Sequence, residues 1–521
     1  MSLTANVDPT ALDELFARYD RTDAPGFAVG VALHGIPRYR RGFGMASIEL
    51  PVPLAPTIRM RIGSTTKHFC VLAVMLLAEQ GKLSIEDSPR QYLPELPPWA
   101  TGITLRQLMS HTSGMRDSLD LLFHALGPGV SVAPDFQLEL LSSFESVNFA
   151  PGTAWSYNNG GYVLLSEIVA RVSGRAFGEF LGTSIFEPVG MYDTLLREFD
   201  TELVANSATL HVPRPEGGYT RGSFGPPIRG EGGIVSTVDD MLKWLRHMAS
   251  PVVGSAGTWR AMRTPVTTHG YGLGLFIGQH RGQRTIHHAG GVIGGASQMI
   301  KFVDQELDII LMTNGRSVLD LYRLADCIAD RCIPGLLPVA PDAGGTPPIT
   351  GHFYSPDTGR VISLFAHEGQ QALLMGGMSL PALRAPDLSI TAPILHSDLV
   401  IRPDDRHGLA PRTLEITEFG RHDRLEWVDP PAEAPVADLV GEYSSEAGLT
   451  ASISTTTAGG AELRLHLGSG ATHYRLAALA PSLWQVTSIV PMPLGGTLEV
   501  NSLGFDLTTG RTARLHFRRQ R

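Results

Sequence analysis

The most constraining stretch of this chain runs from Ser64 to Gln80, where no Pro or Gly interrupts a segment crowded with Phe69, Val71, Leu72, Val74, Met75, Leu76 and Leu77. An uninterrupted run of that length, apolar on every side and stopped at Gly81, predicts a buried helix that Ser64 begins. Such a helix can exist only inside a core that other elements wrap around. Its first turn carries Ser64-x-x-Lys67. At i and i+3 the two side chains share a face, one turn apart.

A serine hydroxyl becomes a nucleophile when a base stands beside it, and a desolvated lysine can be that base. A serine at a helix start also gains from the positive end of the helix dipole. The choice of cation is informative. Of 42 Lys and Arg residues only Lys67, Lys82, Lys243 and Lys301 are lysine. Arginine cannot give up its proton in a protein, so a chain that otherwise prefers arginine has kept at Lys67 the one cation able to act as a base. The plain alternative is Ser64 as a helix cap and Lys67 as a first-turn surface cation, since four-residue patterns recur by chance.

At 521 residues the chain is too long for one core. A formal charge of −9 argues against a nucleic-acid footprint, which would be basic, and no apolar run reaches the length of a membrane span. Cys70, Cys327 and Cys332 do not make a disulfide framework and read as core residues. Met1 to Phe16 carries Asp8, Asp13 and Glu14 instead of a basic start and an apolar run, which gives a cytoplasmic expectation. Met1-Ser2-Leu3 also reads as an added leader, which leaves a periplasmic protein with a trimmed signal open. No His, Cys, Asp or Glu cluster has metal-ligand spacing, and the Gly-rich stretches lack the context of a phosphate loop, so neither metal nor cofactor is expected.

Along the chain, residues 9–20 form an amphipathic helical pattern. Gly26 to Leu33, His34-Gly35 and Arg38 to Phe43 read as a hairpin. Helical patterns recur after Thr104, from Val163 to Val172, after Val238 and from Val318 to Cys332; strands are expected at 273–278, 285–288, 297–303 and 307–313. The texture changes at Pro334 to Pro348, dense in Pro and Gly, and breaks again at Asp429 to Pro435. Short alternating runs dominate beyond. Each break is followed by a similar start, Gly351-His-Phe-Tyr-Ser355 and Gly441-Glu-Tyr-Ser-Ser445, which suggests two related β modules. The expected plan is an α/β (α+β) catalytic domain at 1–335, an antiparallel sheet flanked by helices; a linker at 336–350; and antiparallel β domains at 351–430 and 436–521, each a small β-barrel or sandwich.

Three spaced elements stand out: Ser64-x-x-Lys67, Tyr157-x-Asn159, and His288-Ala289-Gly290-Gly291 at a strand end. Leu108-x-x-His111-Thr112-Ser113-Gly114 and Pro151-Gly152-Thr153 accompany them. Over residues 9–333 this set resembles the β-lactamase-related serine hydrolases, which include penicillin-binding proteins, class C β-lactamases, esterases and the D-aminopeptidases of peptidase family S12. Trp155-x-Tyr157-x-Asn159, the His-x-Gly third element and two C-terminal β modules point to the D-aminopeptidase subgroup. The resemblance implies an acyl-enzyme on Ser64, Lys67 and Tyr157 as proton-handling groups, Asn159 positioning Lys67 or the substrate, and an oxyanion site that includes Gly291. It places His288 where many relatives have lysine. A small peptide, amide or ester is the expected substrate, and the resemblance allows β-lactams as inhibitors and a homodimer as the assembly. Esterase, β-lactamase or a penicillin-recognising protein with poor turnover are the alternatives.

Two registers compete with these assignments: Ser156-x-Asn158 with Tyr157-x-Asn159, and His287 with His288. His111 reads as a structural ring bonding nearby backbone, and Glu231 is as well explained by an exposed turn as by a site. The core is expected to hold every catalytic residue, with the third domain gating the cleft. The stretch Gly468 to Leu476 would be its loop, and His473, Tyr474 and Arg475 its tip. That stretch has no carboxylate for a substrate ammonium; Arg475 suits a carboxylate instead.

Overall fold

A computed structural model describes residues 4–338, 347–392, 398–404, 410–431, 436–457, 460–468, 470–489 and 494–520. The expected linker at 336–350 lies partly outside them. Among the described residues no helix is long and apolar enough to cross a membrane.

The N-terminal half is built on a six-stranded antiparallel sheet. Its strands are β1 (Phe27–Leu33), β2 (Ile36–Phe43), β3 (Phe276–His280), β4 (Gln283–Val292), β5 (Gly295–Phe302) and β6 (Leu307–Thr313), in spatial order β3-β4-β5-β6-β1-β2. The β1–β2 turn falls on His34-Gly35, both left-handed at φ 55° and 69°, the two-residue turn whose twist matches a hairpin. Alternation with a period of two sorts the central strands onto two faces. Phe27, Val29, Val31, Ile309 and Leu311 pack with Leu12 and Phe16 of α1 (Pro9–Phe16), and with Leu321, Leu324 and Ile328 of a C-terminal helix, Val318–Cys332. Ala28, Ile310, Met312 and Met299 face a larger core. At its centre is α2 (Lys67–Glu79), every residue of which from Lys67 to Met75 is buried. Ser64 does not open the α-helix itself: it sits in a 3-10 turn, Gly63–Thr66, that feeds into α2. Against α2 packs α4 (Gly160–Ser173), and α3 (Ser118–Leu126) lines the same core on the side of the barrel.

Beyond the linker stand two β-rich domains. The first is a nine-stranded antiparallel sheet. It opens with β7 (Gly351–Tyr354) and ends with the hairpin β8 (Thr413–Glu418) and β9 (Arg421–Val428). It rolls up nearly to closure, because its two edge strands, Met378–Pro381 and Leu383–Arg384, follow each other in the chain with only Ala382 between them. The second is a closed eight-stranded barrel. Its strands used below are β10 (Gly441–Ser445), β11 (Ala461–Leu467), β12 (Gly470–Ala480), β13 (Gly504–Thr509) and β14 (Leu515–Arg519). The related openings have the same place in both: β7 pairs with the next strand and with the last, β9, and β10 pairs with the next strand and with the last, β14.

The barrel is docked on α3. Tyr474 Oη donates to the His124 carbonyl at 2.8 Å, and Thr512 Oγ1 donates to Asp120 Oδ2 at 3.1 Å. Arg116 Nη1 donates to the Ala513 carbonyl at 2.5 Å.

Candidate active site

The nucleophile turn is held against the sheet by backbone contact that only glycine permits. Gly63 is left-handed at φ +53°. A Cβ on Gly290 would stand 1.9 Å from the Ile62 carbonyl oxygen and 2.8 Å from the Ser64 nitrogen. Gly290, not Gly291, is therefore the position where a side chain is excluded; a Cβ on Gly291 would meet nothing within 4 Å. Two hydroxyls fix the contact: Ser297 Oγ donates to the Ile62 carbonyl at 2.7 Å, and Thr65 Oγ1 lies 2.8 Å from Ser297 Oγ and 3.2 Å from the His288 carbonyl.

Lys67 is fully buried. Its Nζ lies 3.2 Å from Ser64 Oγ, 2.9 Å from Asn159 Oδ1 and 2.7 Å from the Glu231 carbonyl oxygen. Burial brings its pKa down to about 7; Arg511 lowers it further, while Glu231 and Asp117 oppose. The Tyr157 ring lies beneath two cations, with Lys67 Nζ at 4.7 Å and the Arg511 Cζ at 5.0 Å from its centroid. Burial pushes the Tyr157 phenol above its ordinary value, tempered by a hydrogen bond with Ser64 and by the Arg511 charge.

Both register ambiguities resolve by hydrogen bonding. Asn158 is spent on backbone, its Nδ2 donating to the Met115 carbonyl at 2.7 Å and its Oδ1 accepting from Gly161 N–H at 2.7 Å. Asn159 is the one that faces Lys67. His287 stacks on Phe276 with ring centroids 5.1 Å apart, whereas His288 lies beside Tyr157, with centroids 6.4 Å apart. His288 Nδ1 donates to the Ala289 carbonyl at 2.7 Å, so Nε2 accepts from Tyr271 Oη at 3.3 Å. Burial and the Lys67 charge drop its pKa to about 3, so it is a neutral ring. His111 is held at φ 61° and its Nδ1 accepts from Asn158 N–H at 3.1 Å, the backbone role expected of it.

Two participants, Asp117 and Arg511, carry no sequence signal of a site role, and Glu231, for which an exposed turn is as good a reading of the sequence, is buried beside Lys67. Glu231 contributes its carbonyl rather than its carboxylate, a role that leaves no mark in side-chain chemistry. Asp117 caps α3 by accepting from Leu119 N–H at 3.0 Å; its other oxygen accepts from Asn159 N–H at 3.1 Å and Asn159 Nδ2 at 3.2 Å. Arg511, on the β13–β14 turn of the barrel, donates through Nη1 to the same Asp117 oxygen at 3.3 Å. An unbroken chain of contacts thus runs from Arg511 through Asp117 and Asn159 to Lys67 and Ser64.

The expected gate is corrected. Residues 470–480 are not a loop but strand β12, and Arg475 lies on its exposed side, paired in register with Glu462 and Thr487. His473 is exposed and bonded to Glu462 Oε1 at 2.5 Å, and Tyr474 rests on α3. Alternation along a barrel strand turns Arg475 away from the face that docks. The barrel does reach the cleft, on its last hairpin, with Arg511. The nearly closed domain reaches its rim too: Phe419, on the β8–β9 turn at φ 52°, has its ring centroid 4.2 Å from that of Trp155 and 4.9 Å from His269.

The stretch that holds the buried amine, the serine hydroxyl, the tyrosine, the asparagine and the glycine-bearing strand, residues 12–326, matches the family model described as Beta-lactamase. The chain belongs to the beta-lactamase family. Penicillin-binding protein 4* of Bacillus subtilis is 28% identical over 300 residues, 53% of this chain and 65% of that protein. D-aminopeptidase of Brucella canis is 28% identical over 373 residues, 69% of each chain. The alignments span about two thirds of the length of these beta-lactamase-family relatives. In fold, the structure of the octameric penicillin-binding protein homologue from Pyrococcus abyssi superposes with a TM-score of 0.58 at 19% identity, covering 90% of this chain and all of that one. That likeness extends through the C-terminal β domains as well as the catalytic half.

Proposed function

We propose that this serine hydrolase cleaves small amides or peptides through an acyl-enzyme on Ser64. The observation that carries the reading is the bonding of Lys67. A neutral amine has two protons and one lone pair. Asn159 Oδ1 and the Glu231 carbonyl can only accept, so they take the two protons. The third partner, Ser64 Oγ, can donate, so the lone pair meets the hydroxyl proton. With a pKa near 7 the amine spends much of its time neutral at neutral pH.

Ser64 Oγ attacks the substrate carbonyl as Lys67 takes its proton, and the backbone N–H groups of Ser64 and Gly291 hold the oxyanion. The proton passes by way of Tyr157 to the leaving nitrogen, the C–N bond breaks, and water then hydrolyses the ester by the reverse proton path. The raised phenol pKa supports Lys67 as the principal base and Tyr157 as a relay that keeps its proton at rest. Neutral His288 supports Tyr157 by packing and adds no charge. Relatives named D-aminopeptidase and penicillin-binding protein support an acyl substrate of amide or peptide type.

The test is a panel of D- and L-residue p-nitroanilides, p-nitrophenyl esters and a chromogenic cephalosporin, with acylation followed by intact-protein mass. Wild type should gain an acyl mass and turn over, while Ser64→Ala should do neither and stay folded. Wild-type turnover by Ser64→Ala would remove Ser64 from the chemistry.

A further inference from the structure

Glu231 holds Lys67 through its carbonyl, and its carboxylate is buried nearby without a counter-ion. The residue is 2% exposed. One carboxylate oxygen accepts from Arg229 N–H at 3.1 Å; the other lies 3.5 Å from Gln137 Nε2, at the limit of a hydrogen bond. Gln137 makes its shorter bond elsewhere, to the Pro227 carbonyl at 2.9 Å. The Arg229 guanidinium is committed to Glu198 and Glu167. Among the described residues the Glu231 carboxylate forms no ion pair. The wall around it is tight: a Cβ on Gly230 would stand 2.4 Å from Ser166 Oγ and 2.7 Å from Cys70 Sγ. Ser166 Oγ already donates to the Tyr162 carbonyl at 2.6 Å, and Cys70, one turn along α2 from Lys67, has a thiol that burial keeps protonated.

A buried carboxylate needs a charge to balance it or a proton to cancel it. The other groups that face Lys67 cannot help. Asp117 and Arg511 balance each other, and His111 and His288 are rings that burial keeps neutral. Lys67 and Glu231 remain, the one cation and the one carboxylate of this cluster without an opposite partner. Two such groups titrate together. Burial pulls the Lys67 pKa down, and the Glu231 charge is the foremost influence against it. Burial pushes the Glu231 carboxyl above its ordinary value, and the Lys67 charge is among the influences that pull it back.

We propose that the Glu231 carboxylate is the counter-charge of the base: a positioning residue that acts through Lys67, balancing the ammonium that appears when Lys67 takes the Ser64 proton. The assignment rests on the acyl-transfer reading given above. In that step the Ser64 O–H bond breaks and an N–H bond forms on Nζ. The electron pair left on Oγ makes the bond to the substrate carbonyl carbon, whose π pair moves onto oxygen. No proton moves to or from Glu231. Its charge makes Lys67 a stronger base than burial alone would leave, and efficiency follows base strength.

The chain has four lysines, Lys67, Lys82, Lys243 and Lys301, so full-length protein carrying lysine labelled with carbon-13 at Cε gives a spectrum in which Lys67 is the signal missing from Lys67→Arg. Glu231→Gln keeps the side chain's shape and drops its charge. The Lys67 signal of this variant should titrate about one pH unit below wild type, the scale of a nearby opposite charge. The acid limb of kcat/KM on a p-nitrophenyl ester should move down with it, because a lysine of lower pKa is neutral at lower pH. The plateau kcat should fall several-fold with KM little changed, and Glu231→Asp should recover part of it. A Lys67 titration that stays in place or moves up in Glu231→Gln would overturn the proposal. So would a fall in kcat with an unmoved limb, which is the mark of a packing role. Should Glu231→Gln not fold by circular dichroism, Glu231→Met, neutral and of similar length, takes its place.

The spectroscopic titration needs no substrate, which separates the two readings. A Lys67 signal that moves as expected, in a protein whose wild type turns over nothing on the panel, would keep Glu231 and sink the hydrolysis. Turnover with an unmoved signal would do the reverse.

Discussion

Two cations meet at the Tyr157 ring, one from each end of the molecule. Lys67 starts the central helix of the catalytic half, is fully buried and is held by three oxygen atoms. Arg511 comes from a turn of the C-terminal barrel, and two fifths of its side chain is open to solvent. The difference is one of proton chemistry. An ammonium on a lysine can be driven neutral by desolvation; a guanidinium cannot. On the proposed mechanism burial makes Lys67 the base that moves a proton, while Arg511 keeps its charge wherever it is placed and supplies a fixed field.

The strongest way to break that division is to exchange the inner cation. Lys67→Arg should lower kcat by ~10²-fold or more, nearly as much as Lys67→Ala, because the charge is kept and the base is lost. Steady-state kinetics on a p-nitrophenyl ester check it, and near-normal kcat in the arginine variant would make Lys67 a fixed charge like Arg511.

Next comes the link between the two. Asp117→Ala removes the α3 cap, leaves the Asn159 donors without their acceptor and frees Arg511. Each orphaned buried group costs ~1–3 kcal/mol, so a clear fall in Tm should accompany lost activity. A Tm equal to wild type would mean that the two regions are not coupled through this carboxylate.

The pH profile sharpens the comparison. Activity needs neutral Lys67, and a lysine is neutral above its pKa. The kcat/KM should therefore rise with pH through about 7 and fall tenfold per unit below that limb. Arg511→Gln removes a nearby positive charge that lowers the Lys67 pKa and bares Asp117, which raises it; both effects move the acid limb upward. A limb that stays in place or moves down would show that the outer charge is not felt at the base.

Smallest of all should be Phe419→Ala, which trims the rim contact with Trp155 and leaves charges untouched. A change of a few-fold in KM is expected on an aromatic contact scale of ~1 kcal/mol. A larger effect than that of Arg511→Gln would transfer control of the cleft from the barrel to the nine-stranded domain.

How much of this is legible depends on sequence distance. Ser64 and Lys67 are readable because helical spacing alone brings i and i+3 together, and the central strands because short apolar runs between turn signals mark strands buried on both faces. Choosing Asn159 over Asn158 needed the structure, since both are amides at a helix start and only their bonds distinguish them. The barrel's approach was the hardest. Several of its hairpins carry Gly-rich turns, and the Gly468 and Gly510 turns look alike in composition. Which one meets the cleft is set by docking contacts such as Thr512 with Asp120 and Asn148 with the 511–513 backbone, and these join residues hundreds of positions apart. Periodicity carries no information about such pairs.

Arg511 sits between β13 and β14, and β14 closes the barrel by pairing with β10. During synthesis the nucleophile, its base and the helices around them leave the ribosome long before this turn does. The bond from Arg511 to Asp117 therefore forms only after Arg519 has emerged and the barrel has shut, so the outer cation is the last part of this cluster to be put in place.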